Sequence, residues 1–115
     1  MGMHSDPKLV ARLERLLAGR PGIVPRTMFG GACFMLNGNM CVGAHKKELI
    51  VRVGEERAAA LRKRAHVRPM DLTGKPMKGW LTISPAGLVR RADVERYVDA
   101  ALEFVATLPP KRSTG

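Results

Sequence analysis

Apolar residues recur along this chain first at helical and then at strand spacing. Leu9, Leu13, Leu16 and Leu17 return every three to four positions with Val10 beside them, which predicts an amphipathic helix. Ser5, Asp6 and Pro7 mark its start: a capping hydroxyl, a carboxylate near the positive end and a proline in the first turn. It should run to about Ala18 and stop at Gly19, with Pro21 beyond. Residues 20–25, rich in Pro and Gly, read as a connection. From Arg26 to Gly43 the pattern is that of a β-hairpin with Asn37-Gly38 as its turn, because this dipeptide supplies two successive residues at positive φ. A two-residue turn there sets Leu36 opposite Asn39, Met35 opposite Met40, Phe34 opposite Cys41 and Cys33 opposite Val42. Cys33, Met35, Met40 and Val42 then share one face, and Ala32, Phe34, Leu36 and Cys41 the other. Both faces are apolar, so the hairpin needs cover on both sides, from helices, more sheet or a second copy.

Ala44-His45-Lys46-Lys47 reads as a polar turn and Glu48 to Val53 as a third strand, with Leu49, Val51 and Val53 on one face and Ile50 and Arg52 on the other. Gly54 ends it. Glu55 and Glu56 open a second helix and Arg62, Lys63 and Arg64 close it, as the helix dipole favours, with Ala58, Leu61 and Ala65 as a thin buried stripe. Val67 to Leu72 and Met77 to Ser84 read as a second hairpin joined by Thr73-Gly74-Lys75-Pro76, in which Pro69 requires an edge or a bulge. Ser84-Pro85-Ala86-Gly87 is a turn. Val94, Val98, Ala101, Leu102 and Val105, with Tyr97 beside them, predict a last helix stopped by Pro109 and Pro110. Residues 1–4 and 111–115 read as frayed ends of a single domain spanning 1–115. The order α-βββ-α-ββ-α argues an α+β domain with a five-stranded, mostly antiparallel sheet.

A chain of 115 residues buries roughly two-thirds of its unfolded surface, enough for a core without metal or disulfide staples. Aromatic residues make up 4%, so that core must be built from Leu, Val, Ala and seven Met. Lys and Arg number 20 against 10 Asp and Glu, a formal charge of +10. This charge suits nucleic acid, an acidic protein or membrane surface, or solubility alone. In the register of a two-residue turn Cys33 and Cys41 fall on opposite hairpin faces and cannot bond to each other, while a three-residue loop centred on Gly38 would set them diagonally on one face; both read as reduced, buried thiols of a cytoplasmic protein. No apolar run approaches the ~20 residues of a membrane span, and Asp6-Pro7-Lys8 stands where a signal peptide would be apolar.

The chemistry-bearing residues are scattered. His4, His45 and His66 each stand alone, as solvated loop residues do, and no Cys or His spacing suits zinc. Gly30-Gly31 has no Lys-Ser/Thr after it, so it reads as a bulge or a close backbone approach rather than a phosphate loop. Asp71 near Lys75 and Lys78 reads as a surface ion pair, since no second carboxylate supports acid/base work. Trp80, beside Lys78 and Gly79, offers either a base-stacking platform or, as lone aromatics more often do, an anchor for a small core. Arg62, Lys63, Arg64, Arg68, Lys75, Lys78, Arg90 and Arg91 make a phosphate-attracting patch if they converge, and a solvated surface if they do not. No enzyme activity, cofactor, metal or small-molecule substrate is expected from these residues.

Several segments together resemble a known family. Arg26-Thr27-Met28-Phe29-Gly30-Gly31, Asn37-Gly38-Asn39-Met40, Val67-Arg68-Pro69-Met70, Lys75-Pro76-Met77-Lys78-Gly79-Trp80 and Leu108-Pro109-Pro110-Lys111 look like the N-terminal domain of the TfoX/Sxy family. The resemblance implies an α+β fold like that of secretion chaperones. It also implies a link to transcription regulation and natural competence, since full-length members act as transcriptional co-regulators with a second, C-terminal domain. It supplies no catalytic residue. The combined expectation is a non-enzymatic interaction module that binds a protein partner or itself, with a nucleic-acid-binding module as the alternative.

Overall fold

Asp6, not Ser5, caps the first helix. In the computed structural model, which describes residues 5–28, 31–71 and 74–111, the Asp6 carboxylate accepts from the Leu9 backbone N–H at 3.2 Å and α1 runs Pro7–Leu17. Ser5 is instead buried against the sheet. The chain continues through β1 (Ile23–Met28), β2 (Gly31–Leu36), β3 (Asn39–His45) and β4 (Glu48–Arg52) into α2 (Glu55–Leu61). β5 (Val67–Met70), β6 (Met77–Ile83), a 3₁₀ turn at Pro85–Leu88 and α3 (Arg91–Val105) complete it. The sheet has six strands, in the order β1-β2-β3-β4-β6-β5, and every neighbouring pair is antiparallel.

The additional strand is β1, which takes in Ile23, Val24 and Pro25 from the segment that reads as a connection. Edge position explains why its pattern is illegible: Val24 is 52% exposed, and Pro25, which lacks an N–H, is tolerated where one side of the strand has no neighbour. Pro69 holds the equivalent place on the other edge, in β5, with a bulge beside it as expected. The hairpin read from Arg26 to Gly43 is thus three strands rather than two, although its Asn37-Gly38 turn stands, with φ of 52° and 85°. Phe29, Gly30, Leu72 and Thr73 lie outside the described residues.

Register follows the turn for two pairs and then slips. Leu36 faces Asn39 and Met35 faces Met40, but Phe34 faces Val42 and Cys33 faces Gly43, because a bulge at Cys41 inserts an extra residue into β3. Val42 therefore joins Phe34, Leu36, Cys41 and Ala44 on one face instead of joining Cys33, Met35 and Met40. The polar turn also shrinks to Lys46-Lys47, since Ala44 is buried within β3.

The Phe34 face is covered by helices. Leu9, Leu13 and Leu17 of α1 and Val94, Tyr97, Val98, Ala101 and Val105 of α3 pack there on Val42, Leu49, Val51, Leu81 and Ile83. Of the stripe expected on α2, Ala58 is buried, Leu61 is half-buried and Ala65 is exposed, so α2 is anchored more thinly still. On the other face Cys33, Met40, Ile50 and Met70 form a second cluster with Met35, Met77 and Trp80 against it, and no described helix residue belongs to it. Flexible thioethers let strands fill this layer from within the sheet, and the Cys33 and Met35 sulfurs lie 4.0 Å apart. Lys111, read as part of a frayed end, donates its backbone N–H to Asn37 O at 2.8 Å, and the Asn39 amide donates to Pro109 O at 3.0 Å, so the chain after α3 is tied to the β2–β3 turn.

Candidate functional site

The motif Pro76-Met77-Lys78-Gly79-Trp80 meets the start of α2 through one carbonyl. The backbone N–H groups of Val53 and Gly54 both donate to Gly79 O, at 2.8 and 3.1 Å. Gly79 has φ of 82°, and a Cβ there would lie 3.2 Å from the Glu55 nitrogen and the Gly54 backbone. Only glycine combines that conformation with that approach. The consequence is that α2 lies alongside β6 and leaves a cleft of about 370 Å³ between α2 and the β5–β6 hairpin.

Helix residues Ala58 and Ala59, small enough to leave space, form one wall, with Glu55 and Arg62 at its ends. Pro69, Pro76, Met77, Trp80 and Leu81 form the other, with Lys78 exposed on the rim. Trp80 is half-buried, and the Arg52 guanidinium carbon sits 5.3 Å from its ring centroid and 6.0 Å from that of Phe104. Arg52 is thereby placed as a cation between two aromatic rings, which holds the indole in position. Trp80 also packs against the methionine cluster, so the cleft opens onto the sulfur-rich face of the sheet. The arrangement offers an apolar, polarisable surface with cations at its edge.

The residues expected to form a basic patch are distributed over several places. Arg62 and Lys78 both line the cleft. Lys63 is exposed just beyond α2, Lys75 is exposed between β5 and β6, and Arg90 is exposed at the start of α3. Arg64 donates to the Tyr97 hydroxyl at 2.9 Å and to Asp93 at 3.2 Å, and the Tyr97 bond raises the guanidinium pKa above its ordinary value. Arg68 donates to Glu48 at 2.7 Å and to the Ser84 hydroxyl at 3.0 Å, and the Glu48 bond raises its pKa in the same way. Arg91 pairs with Glu95 at 2.7 Å. Arg64, Arg68 and Arg91 are thus held by carboxylates, which reduces the positive field open to a polyanion.

Met28 ends β1 and Gly31 begins β2, while Phe29 and Gly30 lie outside the described residues. A Cβ on Gly31 would fall 2.5 Å from Ala44 O, which makes it the close backbone approach expected of it. Sequence reasoning missed Ala58-Ala59 as a cleft wall, and it missed Arg12 and Arg15, which share a separate cavity with Arg91. The three-residue spacing of the two arginines was visible as one side of α1; their meeting with α3 was not.

Among solved structures, the fold is similar to that of Deinococcus radiodurans protein DR2400, which carries the family-model domain DUF419, with a TM-score of 0.67 over 93% of this chain and 82% of that one. At 18% identity this likeness speaks to the fold alone. No curated protein matches the sequence. Residues 15–105 match the family model of the TfoX N-terminal domain, a span that holds all six strands and the cleft. The chain belongs to the TfoX N-terminal domain family.

Proposed function

We propose that this domain is a non-enzymatic, cytoplasmic interaction module that holds a partner polypeptide in the cleft between α2 and the β5–β6 hairpin. The observation that supports this most directly is that the motif residues from Pro76 to Trp80 form one wall of an open, apolar cleft with Arg62 and Lys78 at its edge. Such a surface suits a segment carrying one or two large apolar side chains flanked by Asp or Glu: the apolar groups supply affinity, and the cations set orientation and speed of encounter. Methionine and a clamped Trp accept varied apolar shapes, as a regulatory adaptor requires. A role in transcription regulation, competence included, would be exercised by holding that partner.

Site-specific photo-crosslinking in cells tests the reading. A crosslinking residue at Lys78 should give discrete protein adducts that one at Glu14, exposed on α1, does not give. The substitution Ala59→Gln, which fills the cleft from an exposed helix position without changing charge, should abolish those adducts. Identical adducts at both positions, or adducts indifferent to Ala59→Gln, would defeat the cleft as the contact surface. Adducts consisting of nucleic acid would return the basic-surface alternative to first place.

A further inference from the structure

Arg12 and Arg15 project from one side of α1, and Arg91 is the first residue of α3. These three arginines line a cavity of about 320 Å³ whose apolar wall is Leu16 and Val94. Arg12 is held at its inner end, where Nη2 donates to Leu88 O at 2.7 Å, and Arg91 is steadied by Glu95 at 2.7 Å. Three arginines and no carboxylate are among the residues that line the hollow. Through its bond to Leu88 O, Arg12 has lost part of its side-chain freedom, which lowers the entropic cost of ordering it around a ligand. The planar guanidinium fork matches phosphate oxygens in pairs, where an ammonium would act only as a point charge. The volume sits near the lower end of the roughly 300–1,000 Å³ typical of small-molecule sites.

We propose that this cavity binds the phosphate group of a small organic ligand, with Leu16 and Val94 against its less polar part. Convergence on one hollow favours a discrete ligand, because a polymer backbone is met by cations strung along a surface. The cavity shares no residue with the α2 cleft, so the assignment stands apart from the proposed protein contact.

Calorimetric titration with adenosine 5′-monophosphate at low salt tests it, with inorganic phosphate as competitor. Saturable binding of one equivalent is expected, displaced by inorganic phosphate. Arg15→Ala and Arg91→Ala should each weaken it by about fivefold or more, the loss of a charge-assisted hydrogen bond. Arg96→Ala, an exposed arginine of α3 outside the cavity, removes the same charge and should leave the affinity within about twofold. Absence of saturable binding, failure of phosphate to displace the nucleotide, or equal loss in Arg96→Ala would each overturn the assignment. So would a short DNA duplex that outcompetes the nucleotide and depends equally on Arg15 and Arg91, since the arginines would then belong to a polymer track.

Discussion

Ser5 shows how far a residue's role can depart from its local pattern. Its hydroxyl accepts from the Ala32 backbone N–H at 2.7 Å and donates to Ala44 O at 2.5 Å, so one side chain stitches the segment before α1 to both β2 and β3. It is 3% exposed. Ser5→Ala leaves the partly buried Ala32 N–H and the buried Ala44 O without this partner, and should lower stability by about 1–3 kcal/mol, read as a fall in the urea midpoint at constant slope. A serine acting only as a helix cap would give no such loss here, because Asp6 already caps α1. The helix-start signal at Ser5-Asp6-Pro7 was legible, and the cap shifted by one residue. The bridge was not legible, because its partners lie 27 and 39 positions away.

At the scale of the element, the bulge in β3 turns both Cys41 and Val42 toward the helices. Burial pushes the Cys41 thiol up from 9.0 to about 12, against the opposing charges of Arg20 and Arg52. The folded state thus prefers the protonated thiol. That contribution to stability is complete below the unfolded value of 9.0 and is lost as the pH rises through 9.0 toward about 12. The stability difference between the wild type and Cys41→Ala should therefore shrink across that window, by on the order of 1 kcal/mol or more. A difference constant with pH would show that the thiolate is tolerated in the core. Cys33 has its pKa raised as well, by burial and against the charge of Arg26, so both thiols are held in their protonated form on opposite sides of the sheet. Hairpin periodicity made the Asn37-Gly38 turn and its first two pairs readable, but a bulge has no local signature in a run where every residue is apolar.

For the whole molecule, the question is what the charge of +10 does. Among the described residues, Arg20, Arg57, Arg64, Arg68 and Arg91 pair with Asp99, Glu103, Asp93, Glu48 and Glu95. Those five arginines are thereby locally neutralised, while the net excess still acts at long range. Duplex DNA followed by anisotropy should bind at ~10 mM salt, where the field extends ~30 Å, and be released near ~150 mM, where it extends ~8 Å. Replacing Arg62, Lys63 and Arg64 by Ala should reduce the low-salt binding by no more than removing three other exposed cations does. Binding that persists at the higher salt and collapses only in that triple variant would establish a formed nucleic-acid site.

The sequence by itself determined the three helices, the α+β class, four of the strands within a residue or two, an edge or bulge at Pro69 and the turn at Asn37-Gly38. Each of these depends on residues near one another in the chain, through capping, backbone φ and the periodicity of burial. Tertiary structure alone decided that residues 23–25 belong to a sixth strand, since an exposed edge imposes no alternation. It alone decided that α2 lies across from Trp80, because the contact is made by Gly79 O and two distant N–H groups. It alone placed Arg62 and Lys78 at a cleft, Arg64, Arg68 and Arg91 in ion pairs, and Arg91 also at a cavity shared with α1. Charge is a property of composition, but convergence is a property of packing, and only the packed chain brings Arg12, Arg15 and Arg91 to one place.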